Sequence, residues 1–309
     1  MKKQILLAVD DSVHSKNAVR YAVDMTRSIR ELHFTLLHIQ PRPSGYLVDE
    51  ARTSLRAKTA LESLRRKHDE AARAFLKIFE TEMAEMGADP ARIQCRTRPP
   101  KLGMARDILD FAQEGQFDAI AMGRRGVGRV TEMFMGSITK KVLEYSRVVP
   151  VWIVDGTVES RRVLVAVDGS ESARRAVDHA AFMLSESRDA FVTLLHVAPR
   201  IDGSCRIDLS DLEADLEEIV GEGSRRCAEG FLADAVETFR KAGFPDNRID
   251  ARQIGKSTGA ARAIEAEVEE GRYGTVVVGR RGADRAFYMG SVSNHLLDRA
   301  SNRAVWLVS

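Results

Sequence analysis

The sequence predicts an α/β protein made of two tandem doubly wound domains, each built on a mostly parallel sheet. Three observations predict it. The chain of 309 residues is long enough for about two domains of ordinary size. It repeats itself once, in order, along nearly its whole length. Within each copy, short β-branched runs alternate with longer stretches of helical periodicity.

The repeat rests on four matches. Ile5-Leu6-Leu7-Ala8-Val9-Asp10-Asp11-Ser12 returns as Val163-Leu164-Val165-Ala166-Val167-Asp168-Gly169-Ser170, an offset of 158 (163 − 5). Thr35-Leu36-Leu37-His38-Ile39 returns at the same offset of 158 as Thr193-Leu194-Leu195-His196-Val197. Gly123-Arg124-Arg125-Gly126 returns as Gly279-Arg280-Arg281-Gly282, where the offset has fallen to 156 (279 − 123). Val151-Trp152 returns as Val305-Trp306, at 154 (305 − 151). Matches in one order over about 150 residues mark a duplicated domain and not a solenoid. The boundary falls in the polar stretch from Asp155 to Ser160, giving domains at 1–156 and 160–309.

Each element then follows in order. Residues 3–9 are continuously apolar after Gln4, as in a strand covered on both faces. Ala18, Tyr21, Ala22, Met25 and Ile29 recur at helical spacing, as do Ala173, Val177, Ala180 and Leu184. A strand at 33–39 precedes a long charged helix at roughly 50–86, stopped by Gly87 and Pro90. A strand at 92–97, a helix at 103–114 and a strand at 117–122 lead to a Gly-rich loop. A helix from 137 and a final strand at 148–154, matched by Ala304 to Val308 in the second copy, complete the unit. Short connections between alternating elements imply parallel pairing, with ligands at the carboxyl ends of the strands near the switch point.

Composition narrows the function. Hydrophobic residues make up 44% of the chain, enough for a core in each half. Lys plus Arg total 47 against 45 for Asp plus Glu, so nothing points to a specific nucleic-acid partner or a membrane surface. Cys95, Cys205 and Cys227 form no CxxC pair, which argues against a disulfide framework or a zinc site and for a reducing compartment. The longest apolar runs, such as 148–154, fall far short of a membrane helix, and the apolar start at 5–9 ends at Asp10-Asp11, too soon for a signal peptide. A cytoplasmic protein is expected.

The loop of the first copy carries the chemistry. Gly123-Arg124-Arg125-Gly126 is followed by nine residues and then Gly136-Ser137, after a strand ending at Met122 and before a helix. Glycines let backbone N–H groups approach a phosphate, and a helix N-terminus stabilises the anion. Ser137 can cap the helix or donate its hydroxyl to a phosphate oxygen.

This segment resembles the ATP loop of the universal stress protein family, Gly-2x-Gly-9x-Gly-Ser/Thr, whose spacing it matches fully. Val9-Asp10-Asp11-Ser12 and Leu36-Leu37-His38-Ile39 resemble the same family, and the likeness covers essentially the whole chain as two copies. It implies a Rossmann-like, adenine nucleotide α-hydrolase-like fold, with adenine and ribose met by the strand-one Asp and the residue after the strand-two His. Those positions are Asp10 and Ile39 here, with Ala8 and Val9 beside them. Met122, Gly123, Arg124, Gly126, Gly136, Ser137 and Ile138 would line the ribose and phosphates. In the second copy the matching set is Val167, Asp168, Val197, Val278, Gly279, Gly282, Gly290, Ser291 and Val292. The resemblance implies ATP as ligand, with AMP or ADP open and Mg²⁺ possible alongside ATP. It also implies packing of the two copies about a pseudo-twofold axis as an intrachain pseudo-dimer, through apolar end strands that would otherwise be exposed edges. A homodimer is open as well, and the protein partners are unknown.

Duller readings stand beside these. Asp10 can cap the first helix, the glycines can serve a turn alone, and Arg124, Arg125 and Arg129 can be solvated charge. His38 and His196 suit the ends of strands better than acid–base chemistry, and seven scattered His give no metal spacing. Gly255-Lys256-Ser257 has Asp250 where a P-loop needs Gly, so it reads as a helix start. No nucleophile–base pair appears, so no catalytic residue is assigned and the protein reads as a nucleotide-responsive regulator, in stress response as the resemblance implies. The alternatives are a slow ATPase and an interaction scaffold with relic loops. In the second copy only seven residues separate Gly282 from Gly290. The shorter loop is expected to draw the helix start inward and to make that site the weaker one.

Overall fold

The computed structural model describes all residues except 1, 27, 28, 30, 127–134, 199–212, 256–258 and 281–289; the side chains of 26 and 213–225 are also outside the description. The chain divides into two compact units, Met1–Val154 and Asp155–Ser309.

In unit 1, β1 (Lys3–Ala8), β2 (Leu32–Ile39), β3 (Ile93–Arg98), β4 (Ala119–Gly123) and β5 (Val151–Asp155) lie in the order β3-β2-β1-β4-β5. Every pairing is parallel. The order reverses between β1 and β4, which opens a crevice at their carboxyl ends. The central strands are sealed on both faces: Ile5, Leu6, Leu7, Ala119, Ile120 and Ala121 expose nothing. That burial is what an uninterrupted apolar run demands. Helix α1 (Val13–Thr26) packs with α3 (Leu55–Glu85), while α4 (Met104–Glu114) packs with α5 (Ser137–Tyr145).

Two boundaries depart from expectation, each for a local reason. The long helical region is two helices, α2 (Gly45–Glu50) and α3, because Ser44 and Ser54 each accept a backbone N–H, from Leu47 and Ala57, and start a helix of their own. The last strand begins at Val151 and not at Val148. Val148 is 70% exposed, and Pro150 has no N–H to give a neighbour.

Unit 2 repeats the plan. Strands β6 (Arg162–Ala166), β7 (Phe191–Val197), β8 (Ile249–Ile254), β9 (Thr275–Gly279) and β10 (Arg303–Val308) lie in the order β8-β7-β6-β9-β10, again all parallel. Helix α6 (Glu171–Leu184) packs with α7 (Glu213–Lys241), and α8 (Ala260–Glu270) with α9 (Ser291–Arg299). Of the P-loop-like segment, Gly255 follows β8, and Lys256 and Ser257 lie outside the described residues. No helix among the described residues is long and apolar enough to cross a membrane.

Candidate functional site

The crevice of unit 1 is built outward from the end of β1. Val9 donates its N–H to Leu37 O at 3.0 Å, and its carbonyl faces His38 Nδ1 at 3.0 Å. A carbonyl only accepts, so Nδ1 carries the proton and His38 clamps the ends of β1 and β2 together. Asp10 comes next and is held from three directions. Its N–H donates to Ser15 Oγ at 3.0 Å, while Ser12 and Ser15 donate hydroxyls to its Oδ1 at 2.5 and 2.7 Å. Its other oxygen lies against Gly126, where a Cβ would sit 2.5 Å from Oδ2. Asp10 therefore organises the first turn and reaches the loop at the same time.

Three glycines of the motif are fixed by close approach. A Cβ on Gly123 would fall 2.6 Å from the backbone of His14, because the start of α1 passes over the end of β4. A Cβ on Gly136 would lie 3.2 Å from Arg125 Cα and 3.4 Å from the Gly126 nitrogen. The loop closes on itself through Gly136 N–H to Arg124 O at 2.9 Å, and is tied to β5 by Arg124 N–H to Val154 O at 3.0 Å. Thr139 donates its hydroxyl to Gly123 O at 3.1 Å and so fixes α5 to the strand end. Gly136, not Ser137, is the N-cap, and no side chain caps the helix. Ser137 is the first helical residue. Its amide and those of Ile138 and Thr139 have no intrahelical acceptor, and they stand at the positive end of the helix dipole.

These pieces surround a cavity of about 380 Å³. Of the residues predicted for this copy, Ala8, Val9, Asp10, Ile39, Met122, Gly123, Gly126, Gly136, Ser137 and Ile138 all line it. Arg124 does not; its side chain is buried, and Arg125 takes the lining position. Sequence reasoning missed Ser15, Pro41, Met104, Ile108 and Thr139, which with Leu37 and His38 complete the wall. Met104 and Ile108, four apart on α4, present one helical face, a spacing visible in the sequence. The β2–α4 side is apolar, with Leu37, Ile39, Pro41, Met104 and Ile108, whereas the β4–α5 side offers backbone amides. Among the described residues no group of three or more His, Cys, Asp or Glu could hold a metal ion.

The same frame recurs in unit 2 with different fittings. Val167 bonds to Leu195 O at 2.8 Å, and His196 Nδ1 lies 2.7 Å from Val167 O. Gly290 N–H bonds to Arg280 O at 2.9 Å, and Ser293 donates to Gly279 O at 2.8 Å. The uncapped helix start is kept too: Gly290 is the N-cap, Ser291 the first helical residue, and Val292 follows half-buried. Gly282 lies outside the described residues, Val278 is buried in β9, and Val197 ends β7. The stem that fixes the helix start is thus the same in both units despite the shorter loop of unit 2. The difference lies at Asp168. Ala173 stands where unit 1 has Ser15, so Asp168 is exposed and its Oδ1 accepts from Ser170 N–H at 2.9 Å.

Fold and crevice define a class: two doubly wound, Rossmann-like α/β domains in tandem, each with a glycine loop leading into a helix start at the strand ends. The chain belongs to the universal stress protein family, whose model matches residues 1–155 and again 159–308. A universal stress protein from Archaeoglobus fulgidus DSM 4304 is similar over 99% of this chain and 98% of its own, with 22% identity and a TM-score of 0.63. A putative universal stress protein from Pseudomonas aeruginosa UCBPP-PA14 is similar over 99% and 93%, with 16% identity and a TM-score of 0.59. These two likenesses show the fold. Among curated proteins none matches the sequence.

Proposed function

We propose that the chain is an adenine-nucleotide-binding regulator, with ATP held in the crevice of unit 1. The carrying observation is the composition of that cavity: an apolar wall from β2 and α4 on one side of Asp10, and a helix start with no side-chain cap on the other. The first suits a planar base and the second suits phosphates. At about 380 Å³ the cavity falls within the roughly 300–1,000 Å³ of small-molecule sites. AMP or ADP would use the same wall, and any Mg²⁺ would arrive on the phosphates. Unit 2, with Asp168 unclamped, is the weaker site.

Binding without turnover is the better supported activity. Among the residues lining the cavity the single carboxylate, Asp10, already accepts two serine hydroxyls. The test is to denature freshly purified protein, identify any released nucleotide and count it per chain. About one adenine nucleotide per chain is expected, lost in Gly136→Val because the added side chain presses on the backbone of 124–126. A folded Gly136→Val protein with undiminished ATP affinity overturns the assignment.

A further inference from the structure

The helix face opposite the nucleotide crevice differs between the units by one side chain that matters. In unit 1, His38 packs on Phe75 with ring centroids 5.0 Å apart, and Phe75 packs edge-on to Phe79 at 5.1 Å. Phe79 is 1% exposed and lies on α3, which packs with α1. In unit 2 the matching ring contact is His196 with Phe231, at 6.5 Å, and the residue one turn on is Ala235. One phenyl ring is missing. Phe239 does not replace it, because its ring packs at 5.5 Å on Phe244, a further turn along.

Beside Ala235 lies a cavity of about 210 Å³ between α6 and α7, lined by Val167, Val177, Phe231 and Ala235. Phe231 leans onto Gly169, where a Cβ would fall 2.2 Å from the ring; the backbone there has φ +75°, a conformation natural to glycine. Unit 1 carries Asp11 at that position, so the arrangement is particular to unit 2. Apolar cavities of roughly 150 Å³ take up benzene-sized molecules, so this one accommodates a phenyl ring with a short tail. Its rim is charged: Asp178 and Asp234 against a single Arg174. We propose that this cavity is a second ligand site, for small aromatic ammonium compounds whose ring takes the place of the missing phenylalanine and whose amine lies at the two aspartates. It is walled by α6 and α7, whereas the second-copy nucleotide set ends on the start of α9, and Val167 belongs to both.

The experiment uses the full chain and 2-phenylethylamine, 2-phenylethanol and 3-phenylpropanoate as probes, titrated by calorimetry and by ligand-observed NMR. The amine is expected to bind saturably at one site per chain, about tenfold tighter than the alcohol. Asp178→Asn with Asp234→Asn should erase that preference. Ala235→Phe, which restores the ring of unit 1, should cut amine affinity at least about tenfold while leaving the melting temperature equal or higher. Ala235→Leu serves the same purpose if the larger side chain prevents folding. Absence of saturable amine binding, unchanged binding in both Ala235 variants, or a carboxylate that binds as tightly as the amine overturns the proposal.

Discussion

Units 1 and 2 share a frame and differ in what is mounted on it. The strand order, the histidine clamp between the first two strands, the loop stem and the hydroxyl tying the helix to the strand end are the same in both. Ser15 against Ala173, Phe79 against Ala235, Asp107 against Ala263 and Tyr21 against His179 are not. The shared features tie backbone to backbone, or a side chain to the backbone at a strand end. The divergent ones are side chains facing a cavity, a loop or a tryptophan. The lesson is that duplication has preserved the scaffold and released the fittings.

Each unit carries one tryptophan, Trp152 or Trp306, both fully buried, so single-tryptophan variants report on the units separately. The largest expected effect probes the shared frame. Gly123→Ala and Gly279→Ala place a Cβ 2.6 Å from His14 and from Ser172, and each should destabilise its own unit by about 2–3 kcal/mol in urea unfolding. Unequal losses would break the equivalence of the frames.

A smaller effect probes a divergent pair. His179 packs on Trp306 where unit 1 packs Tyr21 on Trp152, and burial pushes the imidazole down to about 3 from 6.5. The folded unit keeps this group neutral while the unfolded chain takes up a proton below about pH 6.5, so stability is lost as pH falls from there toward 3. Between pH 7 and 5 unit 2 should lose about 1–2 kcal/mol through this group, and His179→Tyr should flatten the profile. An identical pH profile in the variant excludes the group as the cause.

Asp107 comes next. Its carboxylate accepts backbone N–H groups from Lys101, Leu102 and Gly103 at 2.9, 2.9 and 3.3 Å and moors the loop ahead of α4. Asp107→Ala should cost unit 1 about 1–2 kcal/mol and raise amide exchange at 101–103. The smallest expected effect is on the ligand: Ser15→Ala removes two of the three bonds that hold Asp10, leaving Ser12, and should weaken ATP binding about threefold at a stability cost of about 1 kcal/mol. ATP affinity unaltered by that change would remove Ser15 as the distinction between the two sites.

Much of this was legible in the sequence. The strands declared themselves as apolar runs, and the glycine spacing located the backbone half of the crevice, because both depend on residues near one another in the chain. The other half did not declare itself. Met104 and Ile108 reach the crevice only because α4 crosses β2, and nothing within the glycine motif refers to them. Ser137 was open as a cap, yet the extended Gly136 holds that place and leaves Ser137 in the first turn. The contrast of Ser15 with Ala173 was in plain view at the repeat offset, but its meaning needed the hydroxyl to be seen on Asp10. Loop length, the more conspicuous difference, leaves the stem unaltered.

That stem is one bond in each unit, from Gly136 N–H to Arg124 O and from Gly290 N–H to Arg280 O, both 2.9 Å long. It makes the intervening stretch a cassette. Nine residues separate Gly126 from Gly136 and seven separate Gly282 from Gly290, with the helix seated alike behind each. Insertions and deletions in the cassette are therefore uncoupled from the packing of the helix, and a transplanted cassette finds the same two sockets in either copy. Duplication followed by editing between fixed sockets is a route by which two copies diverge in their loops without a second fold.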